Sequence, residues 1–188
     1  PRRLDQSYRQ QVTPGVVIGR EGAVWSENPL NVPVSQVRFV TRTNQANAAN
    51  ILNTVQRNAV VVFDGSQGQI DVNTSLNVNA ANVGVIGGGT GMTLRGAVDG
   101  KTYQFTMDGS RPLINQTVAA NNIFFVNGRN NVVFGNLHVQ GGSNSFHIHV
   151  SNQVRLFDVG STNSGNVSYF FNDSPNARLT NVTSTNAA

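Results

Sequence analysis

His147 and His149 stand two residues apart in the phrase SFHIHV. On an extended chain, side chains two apart share a face, so both imidazoles point away from Ile148. Neutral imidazoles at this spacing can hold Zn²⁺ or Cu²⁺, which makes the pair a candidate metal site. His138 would join them if its strand lay close. Two histidines without a nearby carboxylate make a poor ligand set, and a solvated polar pair is the plainer reading. Arg155 and Arg178 occupy equivalent places in two successive repeats. Stacked, they would form a short cationic ladder suited to clamping carboxylates, against the plainer reading of a solvated basic face. Trp25 is the only Trp and could stack on a sugar ring, or pack on the end of the main body. Asp64, Asp71, Asp99 and Asp108 are candidates for a calcium site or an acid/base pair. Three of them precede a Gly, and Asp-Gly is ordinary turn chemistry. Sequons at Asn73, Asn115, Asn166, Asn172 and Asn181 are expected by chance in a chain with 26 Asn.

The elements that must carry these residues are short. Residues 43–58 place Ala48, Ile51, Leu52 and Val55 at i, i+3, i+4 and i+7, which predicts a helix with one apolar stripe. Thr43 or Asn44 is its N-cap, and Asn58 lies at its C-terminal end. From residue 59 the period drops to 2: AVVVF is a strand, and Asp64-Gly65 is a turn. Gly87-Gly88-Gly89 lacks the rest of a phosphate-loop motif and reads as a tight corner. Before the helix, Pro14, Pro29 and Pro33 break residues 1–40 into an irregular capping segment, with short strands expected at Val16–Ile18 and Val37–Val40.

The last third repeats. NNVVFGNLHV (130–139) lies over NQVRLFDVGS (152–161) and PNARLTNVTS (175–184). Phe134, Leu156 and Leu179 align, as do Asn136, Asp158 and Asn181, and Leu137, Val159 and Val182, at spacings of 22 and 23. A second set matches Phe146, Ile148 and Val150 to Val167, Tyr169 and Phe171, at a spacing of 21, with Tyr169 inward. Strands of five residues cannot form a free-standing sheet, but equivalent strands of successive repeats can stack in parallel about a shared interior. The aligned Asn136, Asp158 and Asn181 fall where the strand turns. Asn tolerates left-handed φ there, and its amide can bond to the neighbouring repeat. The fold expected is all-β: a right-handed parallel β-helix of about 22 residues per coil with an N-terminal capping α-helix. Residues 1–40 are the cap segment and 41–188 the N-terminal part of an array that runs past residue 188. An uncapped last coil would leave strand edges open to end-to-end self-association.

Bulk properties narrow the function. Charged residues make up 12% and apolar residues 38%, and the polar remainder is mostly amide, hydroxyl and Gly. There is no Cys, so no disulfide framework, thiolate metal site or Cys nucleophile exists. No apolar run reaches the roughly 18 residues a membrane span needs. The net charge is +4, with 12 Arg and one Lys, Lys101, spread along the chain rather than clustered with aromatics. That spread argues against nucleic acid as a partner and leaves a mild attraction to anionic polymers. Nothing in the chain calls for a cofactor.

The helix phrase ANAANILNTVQRN, the strand VVVFDG, the segment NVGVIGGG and the repeat SFHIHVSNQVRLFDV resemble the pectate-lyase-like right-handed β-helix superfamily. The resemblance implies a secreted or cell-surface protein. It does not choose an activity, because that fold hosts lyases, hydrolases, epimerases, tailspikes and adhesins. The Asp cluster and Arg base of its lyases do not map onto this chain. Two functions follow. One is an adhesin- or passenger-type module contacting a polysaccharide or host surface glycan. The other is the N-terminal part of a lyase or hydrolase of acidic polysaccharide. A metal role through His147 and His149 is a third.

Overall fold

A computed structural model describes residues 16–20, 23–25, 36–88, 93–98, 102–107 and 111–187, with side chains for 36–88 and 111–187. The described chain is mostly β, with one α-helix and with parallel strands in curled sheets. The larger sheet contains β3 (Gln36–Thr41), β4 (Ala59–Asp64), β7 (Val83–Gly88), β12 (Val132–Gly141), β14 (Arg155–Thr162) and β16 (Arg178–Thr185) side by side. β5 (Ile70–Val72) and β10 (Leu113–Gln116) extend it, β10 lying between β5 and the second half of β12. A second sheet stacks β6 (Leu76–Val78), β11 (Phe124–Asn127), β13 (Phe146–His149) and β15 (Tyr169–Asn172), also in parallel. A third sheet joins β1 (Val16–Arg20) and β2 (Ala23–Trp25) to β8 (Thr93–Val98) and β9 (Thr102–Met107), with antiparallel and parallel pairs. β3 straddles the expected boundary at residue 40 and is the end strand of the larger sheet.

The repeat registers of the larger sheet are those the spacing predicts. Phe134 pairs with Leu156 and Leu156 with Leu179, while Leu137 pairs with Val159 and Val159 with Val182. The second sheet departs from expectation by two residues. Phe146 pairs with Tyr169 and Ile148 with Phe171, so the spacing is 23 and Val167 lies outside the pairing. A two-residue slip keeps every side chain on the same face, so alternation alone could not detect it. Tyr169 does pack on the core, its ring stacked on Phe146 at 5.7 Å.

Corners are made by residues held at left-handed φ. Asn136, Asp158 and Asn181 have φ of 53°, 52° and 50°. The buried Asn136 amide donates to the Gly87 carbonyl oxygen at 2.9 Å, and that of Asn181 donates to the Asp158 carboxylate. The chain therefore turns within each of these strands, and at Asn136 the side-chain amide pairs the buried Gly87 carbonyl. Gly87 and Gly88 continue β7 rather than form the corner expected of them. A Cβ on Gly87 would lie 2.1 Å from the Asn136 carbonyl oxygen and 2.5 Å from Pro112, so close approach rather than turning explains the glycine.

The interior is filled by Val, Leu, Ile and Phe from the straight segments, with Phe63, Phe124, Phe134 and Phe146 in mutual contact. Beyond β12 the interior turns partly polar. Ser145, Ser161, Ser164 and Ser168 are buried and bond to one another, Ser145 reaching Ser161 and Ser164 at 2.6 Å each. The α-helix, α1 (Ala48–Thr54), adds Ala48, Ile51 and Leu52 to the same interior, and Val55 just after it packs there too. It is shorter than the periodicity predicts, because residues 42–47 form a tighter 3₁₀ turn. Asn44 causes this: its Oδ1 accepts from the Thr41 amide at 2.7 Å and its Nδ2 donates to the Phe39 carbonyl at 2.9 Å. Val55 is already extended, so Asn58 belongs to the corner before β4, at φ 63°, rather than to a helix end. At the opposite edge of the larger sheet, on its end strand β16, Leu179 is 43% exposed although Leu156 and Phe134, in register with it, are buried.

Val150 follows β13 at φ 48° with half its surface in solvent. A β-branched residue in this region is strained by about 1–2 kcal/mol. Val150→Gly is expected to raise stability by about 1 kcal/mol. Asn136→Ala, which loses a buried hydrogen bond at a left-handed corner, is expected to lower it by about 2–4 kcal/mol. Denaturant melts of the two variants read both signs.

Candidate functional site

The outward face of the second sheet carries a column of rings. Phe125 pairs with His147 across β11 and β13, and His147 with Phe170 across β13 and β15. The centroids are 4.9 Å and 4.8 Å apart, with His147 edge-on between its two neighbours. Inward alternation of Phe124, Val126, Phe146 and Ile148 forces these rings outward. Phe170 is 40% exposed, so the column opens to solvent at its β15 end. Two residues on, Asn127, His149 and Asn172 form a second row in register. His149 Nδ1 faces the Asn172 amide nitrogen at 3.1 Å.

On the other side of the rings runs a ladder of amides. Asn166 Nδ2 donates to Asn144 Oδ1 at 3.1 Å, and Asn144 Nδ2 donates to Asn122 Oδ1 at 2.8 Å. Asn122 Nδ2 then faces His147 Nδ1 at 3.4 Å. The face is thus an aromatic strip between a row of three amides and a row of two amides with an imidazole between them. Its three strands, ~4.8 Å apart, give it a length of about 10 Å. Rings offer flat apolar surface, and the amides of Asn127, Asn166 and Asn172 are exposed, while Asn144 is buried and bonded at both ends within the ladder.

His138 lies elsewhere, on the outward face of the larger sheet, with Nε2 3.2 Å from Thr162 Oγ1. It therefore does not join His147 and His149. Among the described residues, no three His, Cys, Asp or Glu side chains come together in a way that could hold a metal ion. Arg155 and Arg178 are brought side by side in register, as their spacing predicts. Arg155 donates to Asn131 Oδ1 at 3.1 Å, and Arg178 is exposed. Their column is only two Arg long, since the next residues in it are Val133, Gly84 and Val60, with both valines buried. Trp25 lies in β2, in the third sheet rather than with the Arg pair, and its side chain falls outside the described residues. So do Asp99 and Asp108.

Asp64 does what Asp-Gly turn chemistry predicts, its Oδ1 accepting from the Ser66 amide at 2.9 Å. Asp71 accepts from Asn115 at 2.9 Å and from Gln69 at 2.6 Å, and these bonds hold its carboxyl below the usual range. It is thereby tied into a structural amide row rather than free for acid/base work. Sequence reasoning missed Phe125, Phe170 and the ladder. Asn122, Asn144 and Asn166 recur every 22 residues, and that recurrence was the available signal.

No protein-family model and no curated protein matches the chain. Among solved structures it is similar to a candidate glycosyl hydrolase from Parabacteroides merdae, at a TM-score of 0.38 and 10% identity, over 97% of this chain and 87% of that one. A likeness at this level carries no weight for fold detail or activity. No described helix is long and apolar enough to cross a membrane.

Burial holds the pKa of both His138 and His147 below 6.5; the Arg111 charge adds to this at His138 and the His149 charge at His147. As pH falls through 6.5, the unfolded chain takes up these protons before the folded one does, so stability drops until the lower folded values are passed. The thermal midpoint is expected to fall between about pH 7.5 and pH 5, and the double variant His138→Gln, His147→Gln to show a shallower fall. Calorimetry across that range checks both.

Proposed function

We propose that this chain is part of a right-handed parallel β-helix that binds glycans as a module of a secreted or cell-surface protein. The carrying observation is the strip of Phe125, His147 and Phe170 between the amide row of Asn122, Asn144 and Asn166 and the polar row of Asn127, His149 and Asn172. A pyranose has an apolar face of C–H groups and a rim of hydroxyls. It matches a flat ring flanked by groups that both donate and accept. The strip holds no carboxylate, and its only titratable groups are the two imidazoles, which favours an uncharged saccharide over an acidic one. The columns of left-handed residues between short parallel strands support the β-helix reading, because each repeat then closes on the one before it.

Titration with uncharged oligosaccharides, on an array and then by calorimetry, tests this reading. Phe170→Ala is expected to weaken binding by about tenfold, the ~1.4 kcal/mol of one stacked ring. The double variant Arg155→Ala, Arg178→Ala is expected to leave it unchanged. If binding is confined to acidic polysaccharide and lost in the Arg variant, the site moves to the larger sheet. Turnover of the bound saccharide would favour an enzyme over a binding module.

A further inference from the structure

The amide ladder beside the ring column has a direction. Each step runs from an Nδ2 donor to an Oδ1 acceptor, from Asn166 through Asn144 to Asn122, and the last donor faces His147 Nδ1. A side-chain amide has one accepting and one donating end, so no member can turn over alone without setting two acceptors or two donors against each other. This arrangement is satisfied when His147 Nδ1 accepts from Asn122 and the ring proton sits on Nε2.

We propose that the Asn166–Asn144–Asn122 ladder is a proton-coupled relay that sets which nitrogen of His147 carries its proton. Protonation of the ring places a hydrogen on Nδ1, against the Asn122 donor. The imidazolium is accommodated only when all three amides invert together, so that Asn122 Oδ1 faces the new N–H. The groups packed around His147 are Phe125 from β11, Phe170 from β15, Asn122 from the ladder and His149 on its own strand. Of these only His149 can carry a charge, and a second imidazolium 6.5 Å away opposes the first. Burial and that neighbour already hold the His147 pKa down, in keeping with a ladder set for the neutral ring. Resting on the saccharide reading above, the relay has a consequence for that site: at neutral pH His147 offers a ligand oxygen an Nε2–H donor, and in acid it offers a cation.

The test is a substitution two steps from the histidine. Asn166→Asp replaces an amide with a carboxylate that can only accept, at an exposed position where the fold should tolerate it. Asn144 must then donate to residue 166, Asn122 to Asn144, and His147 must donate from Nδ1. Two-bond ¹H–¹⁵N correlation spectra of the imidazoles, taken above the titration range, report the tautomer directly. The expected result is Nε2–H in the wild type and Nδ1–H in Asn166→Asp. The His147 midpoint should also move up by about half a unit to one unit, the weight of one hydrogen bond. Asn144→Asp, one step nearer, should act the same way, and His149, whose partner Asn172 is outside the ladder, serves as the internal reference. The same tautomer in wild type and both variants would overturn the relay. These spectra need no saccharide. A tautomer change without glycan binding would retain the relay and discard the binding reading, and glycan binding without a tautomer change would do the reverse.

Discussion

The structure depends on keeping residues at left-handed φ in register, one repeat above another. All twelve non-glycine residues with positive φ among the described residues fall into four columns. Asn58, Asn82, Asn131, Gln153 and Asn176 precede the strands of the larger sheet. Asn136, Asp158 and Asn181 bend its last three strands. Asn163 and Asn186, with Gly141, end those strands. Val150 and Asp173, with Gly128, end the strands of the second sheet. A left-handed residue costs about 1–2 kcal/mol unless it is Gly or a short polar side chain that bonds locally. Asn answers both needs, because its amide also bridges to the next repeat. Asn82 donates to Asn58 at 2.9 Å and Asn131 to Asn82 at 3.0 Å. Eight of the twelve are Asn, so corner geometry accounts for part of the chain's Asn content.

Corners in register make faces in register. Because β11, β13 and β15 pair in parallel at matched positions, their outward residues line up, and unlike residues such as Phe, His and Phe become one surface. The same constraint builds the three-amide ladder, whose members sit in irregular chain just before those strands yet bond as regularly as strand residues. The outer face of the larger sheet took another course. Val60, Val62, Ile86 and Val133 are buried there without belonging to the interior cluster, so that part of the sheet is covered on both sides and presents little to a ligand.

The larger sheet was legible because its repeats keep residue type at matched positions: Asn136, Asp158 and Asn181 at the bend, Phe134, Leu156 and Leu179 inside. The helix stripe was legible for the same reason, although Asn44 spends its side chain on Thr41 and Phe39 and shortens the α-helix in a way no periodicity reveals. The second sheet was not legible in detail. Its outward positions change type at each repeat, and a slip of two residues preserves the alternation, so His147 aligned with Ser168 when its true neighbour is Phe170. The residues between β7 and β10 also interrupt the period, which places Asn131 49 residues after its ladder partner Asn82 instead of one repeat later. The Arg pair was placed correctly, but whether its column would continue depended on valines three repeats away in the stack.

The central claim is that left-handed corners curl this chain onto itself. Backbone NMR on the labelled protein tests it most directly, through the intraresidue HN–Hα contacts and Cα shifts of Asn136, Asp158 and Asn181. The account predicts left-handed φ at all three, each between strands that give extended values. Extended φ at these residues would mean that β12, β14 and β16 run straight on, and the curled sheet with its shared interior would not exist.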